Sequence, residues 1–254
     1  MKITSIVPTI VTVPGDRGPV TVVLVELATD DGLVGLGEAP TPIGAEPARE
    51  LIASTAPLLL GQDPLQPERL KKILYLNYNL THLHIHAACW ALNAIDMTLW
   101  DLVGQAAGLP LHKLWGGAFR TEIPFYGYID YKLSADEAGA EAARLAAEGY
   151  GTIYRKIGLH EDDDLAVLAA IRAAIGPDVK LRVDANQSWS VGEAVEKIKR
   201  MVPFNLEYVD QPVLMYNIDE LAQVRALSPV RIAAHESSWT MYDALNVIKR
   251  SAAD

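Results

Sequence analysis

Thr152-Ile-Tyr-Arg-Lys156, Lys180-Leu-Arg-Val-Asp184, Leu206-Glu-Tyr-Val-Asp210 and Arg231-Ile-Ala-Ala-His235-Glu236 decide the fold class of this chain. Each is a short, largely apolar run that stops on a charged or polar residue. The stopping residues Lys156, Asp184, Asp210 and His235 succeed one another at intervals of 28, 26 and 25 residues. Each interval contains a segment with helical spacing, so each step reads as one strand–helix unit of a parallel α/β fold. Parallel units in register bring their strand ends to one rim. That rim would carry Lys156, Asp184, Asp210, His235 and Glu236, a metal site beside a base.

The same rhythm extends outward in both directions. Upstream, Ile123–Ile129 reads as a first strand, and Ser134 with Glu137 three residues on is a capping box opening a helix that runs to Glu148. The remaining helices fall at 162–174, 190–201, 218–227 and 240–251, and the last strand at 232–234. Five strand–helix units result, beginning near Arg120-Thr-Glu122, which marks a domain boundary between 1–120 and 121–254. A closed eight-unit barrel needs about 250 residues by itself, and far fewer follow residue 122. An open arc leaves unpaired parallel edges, so the chain is read as incomplete or partnered. A doubly wound sheet is the structural rival.

The first half is different in kind. Residues 1–14 form a strand, and Thr21–Leu27 and Leu33–Glu38 flank Asp30-Asp-Gly32, a hairpin signal. Helical spacing follows over 46–60, 67–77 and 86–107, the last with a stripe of Ala88, Leu92, Ile95, Leu99, Leu102 and Val103. A meander followed by helices is an α+β domain.

Composition narrows the function classes. The 254 residues carry a net charge of −10, which argues against nucleic acid and anionic membranes, because both need a basic face. The single cysteine, Cys89, leaves no internal disulfide and points to a reducing, cytoplasmic setting. No apolar run is long enough to span a bilayer, and the N-terminus lacks the pattern of a signal peptide. His82, His84 and His86 alternate and would share one face of a strand, but they lie where a loop or helix start is expected.

Asp184 and Asp210 are the leading ligand pair, since hard cations such as Mg²⁺ take carboxylate oxygens. His235 is a poor ligand for Mg²⁺ and a good one for Zn²⁺, Mn²⁺ or Fe²⁺; Glu236 can ligate in its place if the strand end turns. Lys156 is the candidate base for removing a proton next to a carboxylate, a step that needs a cation to stabilise the enediolate. Period-2 alternation puts Tyr154 on the same face as Lys156 and Arg155 on the other. The bland alternatives are helix caps for the aspartates, a hydrogen-bonded rim residue for His235 and a solvated lysine for Lys156.

Gly35-Leu-Gly-Glu-Ala39, Ala94-Ile-Asp-Met-Thr-Leu-Trp-Asp-Leu-Val-Gly104, Leu114-Trp-Gly-Gly117, Lys156-Ile-Gly158, Val183-Asp-Ala-Asn-Gln-Ser188, Tyr208-Val-Asp-Gln-Pro212 and Ile232-Ala-Ala-His-Glu-Ser237 together carry a resemblance. The chain resembles the enolase superfamily, in its mandelate racemase and muconate lactonizing enzyme branch. The resemblance implies an N-terminal α+β capping domain, with loops near Gly15–Gly18 and Thr41–Pro47 over the substrate, followed by a (β/α) TIM-type barrel that here stops after the fifth unit. It implies Lys156 as base, being the second lysine of the family's Lys-x-Lys pair. It implies Asp184 and Asp210 as the first two metal ligands, His235 where a third carboxylate is usual, and Asn186 and Tyr154 as substrate contacts. Homo-oligomers are common in this branch.

Three departures stand out. Tyr154 replaces the first lysine, Asp210 a glutamate and His235 an acid. The expected activity is racemisation, epimerisation or cycloisomerisation of a small carboxylate through an enediolate, with Mg²⁺ as the first-choice ion and Mn²⁺ or another transition metal admitted by His235. Acid-sugar dehydration by the same chemistry is the runner-up, and a degenerate, non-catalytic relative is the rival from another class.

Overall fold

The computed structural model describes the chain apart from residues 16, 17, 43, 79–84 and 159–163, and apart from the side chains of 77, 78 and 85–87. His82 and His84 therefore lie outside the described residues, as does the side chain of His86. The same holds for parts of both expected substrate loops. The chain divides into two compact units, Met1–Thr121 and Glu122–Asp254.

In the first unit β1 (Ile3–Val13), β2 (Val20–Thr29) and β3 (Val34–Pro40) form an antiparallel sheet in that order. Alternation along β2 buries Val23, Val25 and Leu27 completely, which fixes the register. The turn after β2 closes on Gly32, whose φ of 91° is the left-handed conformation the Asp-Gly signal supplies. Helices α1 (Ala45–Ala53), α2 (Ala56–Leu59), α3 (Pro67–Tyr78), α4 (Ile85–Ala107) and α5 (Leu111–Leu114) follow.

The single helix expected over 46–60 is broken at Ser54-Thr55. Both hydroxyls turn back onto carbonyls, Ser54 Oγ onto Leu51 at 2.7 Å and Thr55 Oγ1 onto Ile52 at 2.6 Å. These bonds compete with the helical ladder, and Pro57 cannot donate to continue it. Helix α4 lies so close to β3 that a Cβ at Gly37 would meet the Ala94 carbonyl oxygen at 2.1 Å. Only glycine allows that approach. The buried face of α4 includes Ala91, Ala94 and Thr98 as well as Ala88, Ile95, Leu99 and Leu102, while Leu92 and Val103 are half-buried.

The second unit alternates strand and helix: β4 (Gly127–Ile129), α6 (Ala135–Ala147), β5 (Thr152–Lys156), α7 (Asp164–Ile175), β6 (Lys180–Asp184), α8 (Val191–Met201), β7 (Leu206–Asp210), α9 (Ile218–Leu227), β8 (Ile232–Ala233) and α10 (Met241–Lys249). The strands pair in sequence order and in parallel. Ser134–Glu137, Ser190–Glu193 and Thr240–Asp243 each close a capping box at the start of α6, α8 and α10. Ile153, Leu181, Val183, Val209 and Ile232 point from the sheet into a core shared with Leu168, Ile171, Ile198, Leu221 and Val224 of the helices.

Two strands are shorter than the sequence suggests. Residues 123–126 stay outside β4, whose register starts at Gly127 opposite Ile153. Pro124 has no N–H to give a ladder, and Ile123 and Phe125 are exposed. Strand β8 ends at Ala233, one residue early, and the chain turns tightly over Glu236–Ser238.

Candidate active site

The register places the site. Lys156 pairs with Asp184, Asp184 with Asp210, and Asp210 with Ala233, so three chemical side chains end three adjacent strands at one level. Alternation does the rest: Tyr154 and Lys156, Arg182 and Asp184, and Tyr208 and Asp210 face away from the helices, while their neighbours Val183 and Val209 face them. Arg155 is turned the other way, as the sequence predicts. It is buried and donates to the carbonyls of Asp130, Tyr131 and Leu133 at 2.8, 3.1 and 2.9 Å.

Asp184 is fully buried. Its Oδ1 accepts from the Asn186 amide at 2.7 Å, and its Oδ2 accepts from the Tyr154 hydroxyl at 2.8 Å. Lys156 Nζ lies 3.3 Å from the same Oδ2 and also donates to Asn186 Oδ1. The Tyr154 hydroxyl reaches Asp210 Oδ2 as well, at 3.4 Å. So Tyr154, expected among the substrate contacts, directs its O–H at both expected metal ligands. Burial first, and then the Asp184 carboxylate, pushes that phenol far above its ordinary range.

Asp210 is strained electrostatically. Burial is the largest effect and raises its carboxyl to about 6; Asp184 and Glu236 push in the same direction, and His235 pulls against them. His235 Nδ1 stands 3.7 Å from Asp210 Oδ2 and 3.7 Å from Glu236 Oε2. Donor atoms of Asp184, Asp210 and His235 all lie within 4.8 Å of one another. Glu236 is outside that group, one residue into the turn, and touches it through His235.

Two buried carboxylate oxygens here, Asp210 Oδ1 and Glu236 Oε2, have no hydrogen-bond partner among the described residues. Buried acceptors are ordinarily satisfied. Three carboxylates face one ammonium and one imidazole, so the site is short of positive charge. A divalent cation would supply what is missing, and the donor set of Asp184, Asp210 and His235 suits one.

Gln211 was not singled out by its sequence, yet it fixes one wall of the site. It is fully buried and takes φ of 32°. Its Oε1 accepts from the amides of His235 and Ser237 at 3.0 and 3.1 Å, and its Nε2 donates to Val213 O and Ser237 Oγ at 2.9 Å each. Gln187 plays a similar part, donating its amide to Gln211 O at 2.8 Å and accepting from Met215 N at 3.0 Å. The only available signal was position: a polar residue directly after a strand-ending aspartate, inside Asp-Gln-Pro212.

Comparison with known proteins bears on the family and the fold. Residues 3–116 match the family model described as the mandelate racemase / muconate lactonizing enzyme N-terminal domain, and residues 137–254 match the one described as enolase C-terminal domain-like. The chain is 34% identical over 236 residues to a D-galactarolactone cycloisomerase of Agrobacterium fabrum, covering 91% of this chain and 62% of that protein. It is 32% identical over 242 residues to a hydrophobic dipeptide epimerase of Enterococcus faecalis, covering 91% and 64%. The crystal structure of a 3,6-anhydro-D-galactonate cycloisomerase from Zobellia galactanivorans superposes with a TM-score of 0.90 at 27% identity, over 100% of this chain and 70% of that one. The chain thus spans under two thirds of the length of these curated relatives. An α+β domain followed by (β/α) barrel units, the expected fold class, is the fold of this chain. Among the described residues no helix is long and apolar enough to cross a membrane.

Proposed function

The chain belongs to the mandelate racemase / muconate lactonizing enzyme branch of the enolase superfamily, and on that premise we propose that it removes the α-proton of a small carboxylate substrate to give an enediolate. The single observation that carries this reading is the common level of Lys156, Asp184 and Asp210 on adjacent strands. Asp184, Asp210 and His235 would hold a divalent cation, with Glu236 beside them. Mg²⁺ is the ion the resemblance implies for an all-oxygen set, and the imidazole admits Mn²⁺ alongside it. When bound, the cation supplies positive charge where the substrate carboxylate gains electron density.

The Lys156 ammonium first gives a proton to solvent, and the neutral amine Nζ then takes the α-proton. The α-C–H bond breaks, its electron pair moves toward the carboxylate, and the nitrogen gains an N–H bond. Asn186, already hydrogen-bonded to Lys156, aims the amine. Proton return to the opposite face gives racemisation or epimerisation, departure of a ring-bound β-oxygen (or its closure in reverse) gives cycloisomerisation, and departure of a β-hydroxyl as water gives dehydration. Return by Lys156 itself gives exchange without inversion. A homo-oligomer, which the family resemblance implies, and a reducing cytoplasmic setting, which the single cysteine favours, complete the reading.

Solvent exchange is therefore the minimal assay. The 254-residue chain is incubated in deuterated buffer with Mn²⁺ or Mg²⁺ and a panel of dipeptides, sugar acids and their lactones, and the α-proton signal is followed by NMR. Loss of that signal with at least one carboxylate, abolished by Lys156→Ala, is expected. A chain that binds metal and exchanges none of them would establish instead the non-catalytic role that Tyr154 and His235, at positions where the family uses lysine and an acid, favour.

A further inference from the structure

The third donor decides which cation the site takes. Building on the proposed function, we infer that the site selects a first-row transition ion of the Mn²⁺ type over Mg²⁺, because His235 ligates through its imidazole. Mg²⁺ demands near-ideal octahedral oxygen coordination and gives up water reluctantly, whereas imidazole suits borderline ions. Two aspartates and an imidazole form a mixed nitrogen–oxygen set. The nitrogen penalises Mg²⁺ far more than it penalises a transition ion.

The geometry supports ligation over a bystander role. The donors of Asp184, Asp210 and His235 lie within 4.8 Å of one another, and His235 Nδ1 is 3.7 Å from Asp210 Oδ2. Ligand atoms about 2.1 Å from a common ion stand roughly 3 to 4 Å apart, so small side-chain rotations close the shell. At 3.7 Å the ring is beyond hydrogen-bonding distance from both Asp210 and Glu236. Nothing among those contacts holds it in another orientation.

Its backbone, by contrast, is locked. Gln211 Oε1 accepts from the amides on either side of Glu236, those of His235 and Ser237. That clamp fixes where the imidazole starts and leaves its torsions free to swing onto an ion. Asp210 faces the imidazole through Oδ2, and its other oxygen, Oδ1, is buried without a hydrogen-bond partner, so the carboxylate has acceptor capacity left for a cation. Glu236 Oε2, also orphaned, stands 3.7 Å from the same Nδ1 but outside the group of donors that Asp184, Asp210 and His235 form, and we assign it the part of a neighbouring charge, not of the third ligand.

The test is made on the metal-free 254-residue chain with Mg²⁺ and Mn²⁺ titrated separately by calorimetry, and with bound Mn²⁺ examined by electron spin-echo spectroscopy. Wild type should bind Mn²⁺ the more tightly and show ¹⁴N modulation from a coordinated imidazole. His235→Asp should abolish the nitrogen signal and reduce the Mg²⁺-to-Mn²⁺ dissociation-constant ratio by at least about tenfold, an effect that even an outer-shell partner can have on metal affinity. Glu236→Gln should retain the nitrogen signal. Bound Mn²⁺ without nitrogen coupling, or an unchanged ratio in His235→Asp, would overturn the inference while leaving the proposed function standing. Failure of both ions to bind at millimolar concentration would remove the cation and the proposed function with it.

Discussion

Gln211→Met replaces a buried amide with an apolar chain of nearly the same length, without branching at Cβ. The substitution takes the acceptor from the His235 and Ser237 amides and the donor from Val213 O and Ser237 Oγ. Not all four groups suffer equally. The His235 amide adjoins an exposed residue and can be rehydrated, and the Ser237 hydroxyl can rotate. The Ser237 amide and the Val213 carbonyl cannot recover, since Ser237 and Val213 are 8% and 0% exposed. Two stranded buried groups at about 1–3 kcal/mol each give a loss of roughly 2–6 kcal/mol. At about 2–4 °C per kcal/mol for a chain of this size, the melting temperature should fall by roughly 10 °C. The turn that carries His235 loosens at the same time, so Mn²⁺ affinity should drop at least about tenfold. Gln211→Glu separates acceptor from donor: it keeps an oxygen for the two amides but sets another against Val213 O and adds negative charge beside Asp210, so it too should destabilise. Differential scanning calorimetry and calorimetric Mn²⁺ titration give both readings. If Gln211→Met melts within about 2 °C of wild type and binds Mn²⁺ unchanged, the clamp is not what positions His235.

Tyr154→Phe removes the O–H that reaches both Asp184 and Asp210; Mn²⁺ affinity should weaken by about 10- to 100-fold with the fold intact by circular dichroism, and equal or tighter binding would show that the phenol competes with the ion. Gly37→Ala puts a methyl 2.1 Å from Ala94 O and 2.4 Å from Thr98 Oγ1, so β3 and α4 must separate, at a cost of about 1–3 kcal/mol or more. Hydrogen exchange should quicken in Met1–Thr121, and unchanged protection of α4 amides would refute that close packing. Glu207 is bridged by Lys180 at 2.7 Å and Arg182 at 2.5 Å; burial opposes its ionisation, yet these hydrogen bonds prevail and hold its carboxyl below the usual range. A depressed carboxyl stabilises the fold above its unfolded pKa and loses that contribution as pH falls through its folded value. Between about pH 5 and pH 3, therefore, wild type should lose more melting temperature than Glu207→Gln, and parallel losses would count against the pairing.

The second unit was legible because its signals are local and repeated. A parallel strand buried on its helix-facing side must be short and apolar, and its last residue emerges at the rim, so Lys156, Asp184 and Asp210 announce themselves by spacing. The Ser134–Glu137 capping box was equally readable, being four residues long. What stayed hidden depends on partners distant in sequence. The break at Ser54-Thr55 turns on hydroxyls choosing carbonyls over the helix ladder, a choice that composition does not dictate. The small buried face of α4 at Ala94 and Thr98 follows from Gly35 and Gly37 of β3, more than fifty residues earlier. The hydrophobic stripe reads Leu92 as core because it weighs side chains by size, not by how near the sheet comes. Strand β4 lost its first residues to the register of β5.

The site itself rests on backbone that local preference disfavours. Asn186 and Gln187 take φ of 48° and 67°, and Gln211 takes 32°, all in the left-handed region. Asn tolerates it; for glutamine each such residue costs on the order of 1 kcal/mol or more. The two turns they form directly follow the strands that end on Asp184 and Asp210, and they brace one another: Gln187 N donates to Gln211 O, Ala185 N to Asp210 O, and Trp189 N to Pro212 O. The strain has a use. An extended continuation would carry the chain straight off each strand end, whereas a left-handed residue folds it back beside its own aspartate. Asn186 is thereby held where its amide meets Asp184 Oδ1 and its side chain meets Lys156, and Gln211 where it reaches across to the turn bearing His235. The amine and the two aspartates come from the ends of β5, β6 and β7 and the imidazole from the turn after β8, and the bent backbone after β6 and β7 is what ties those elements into one site.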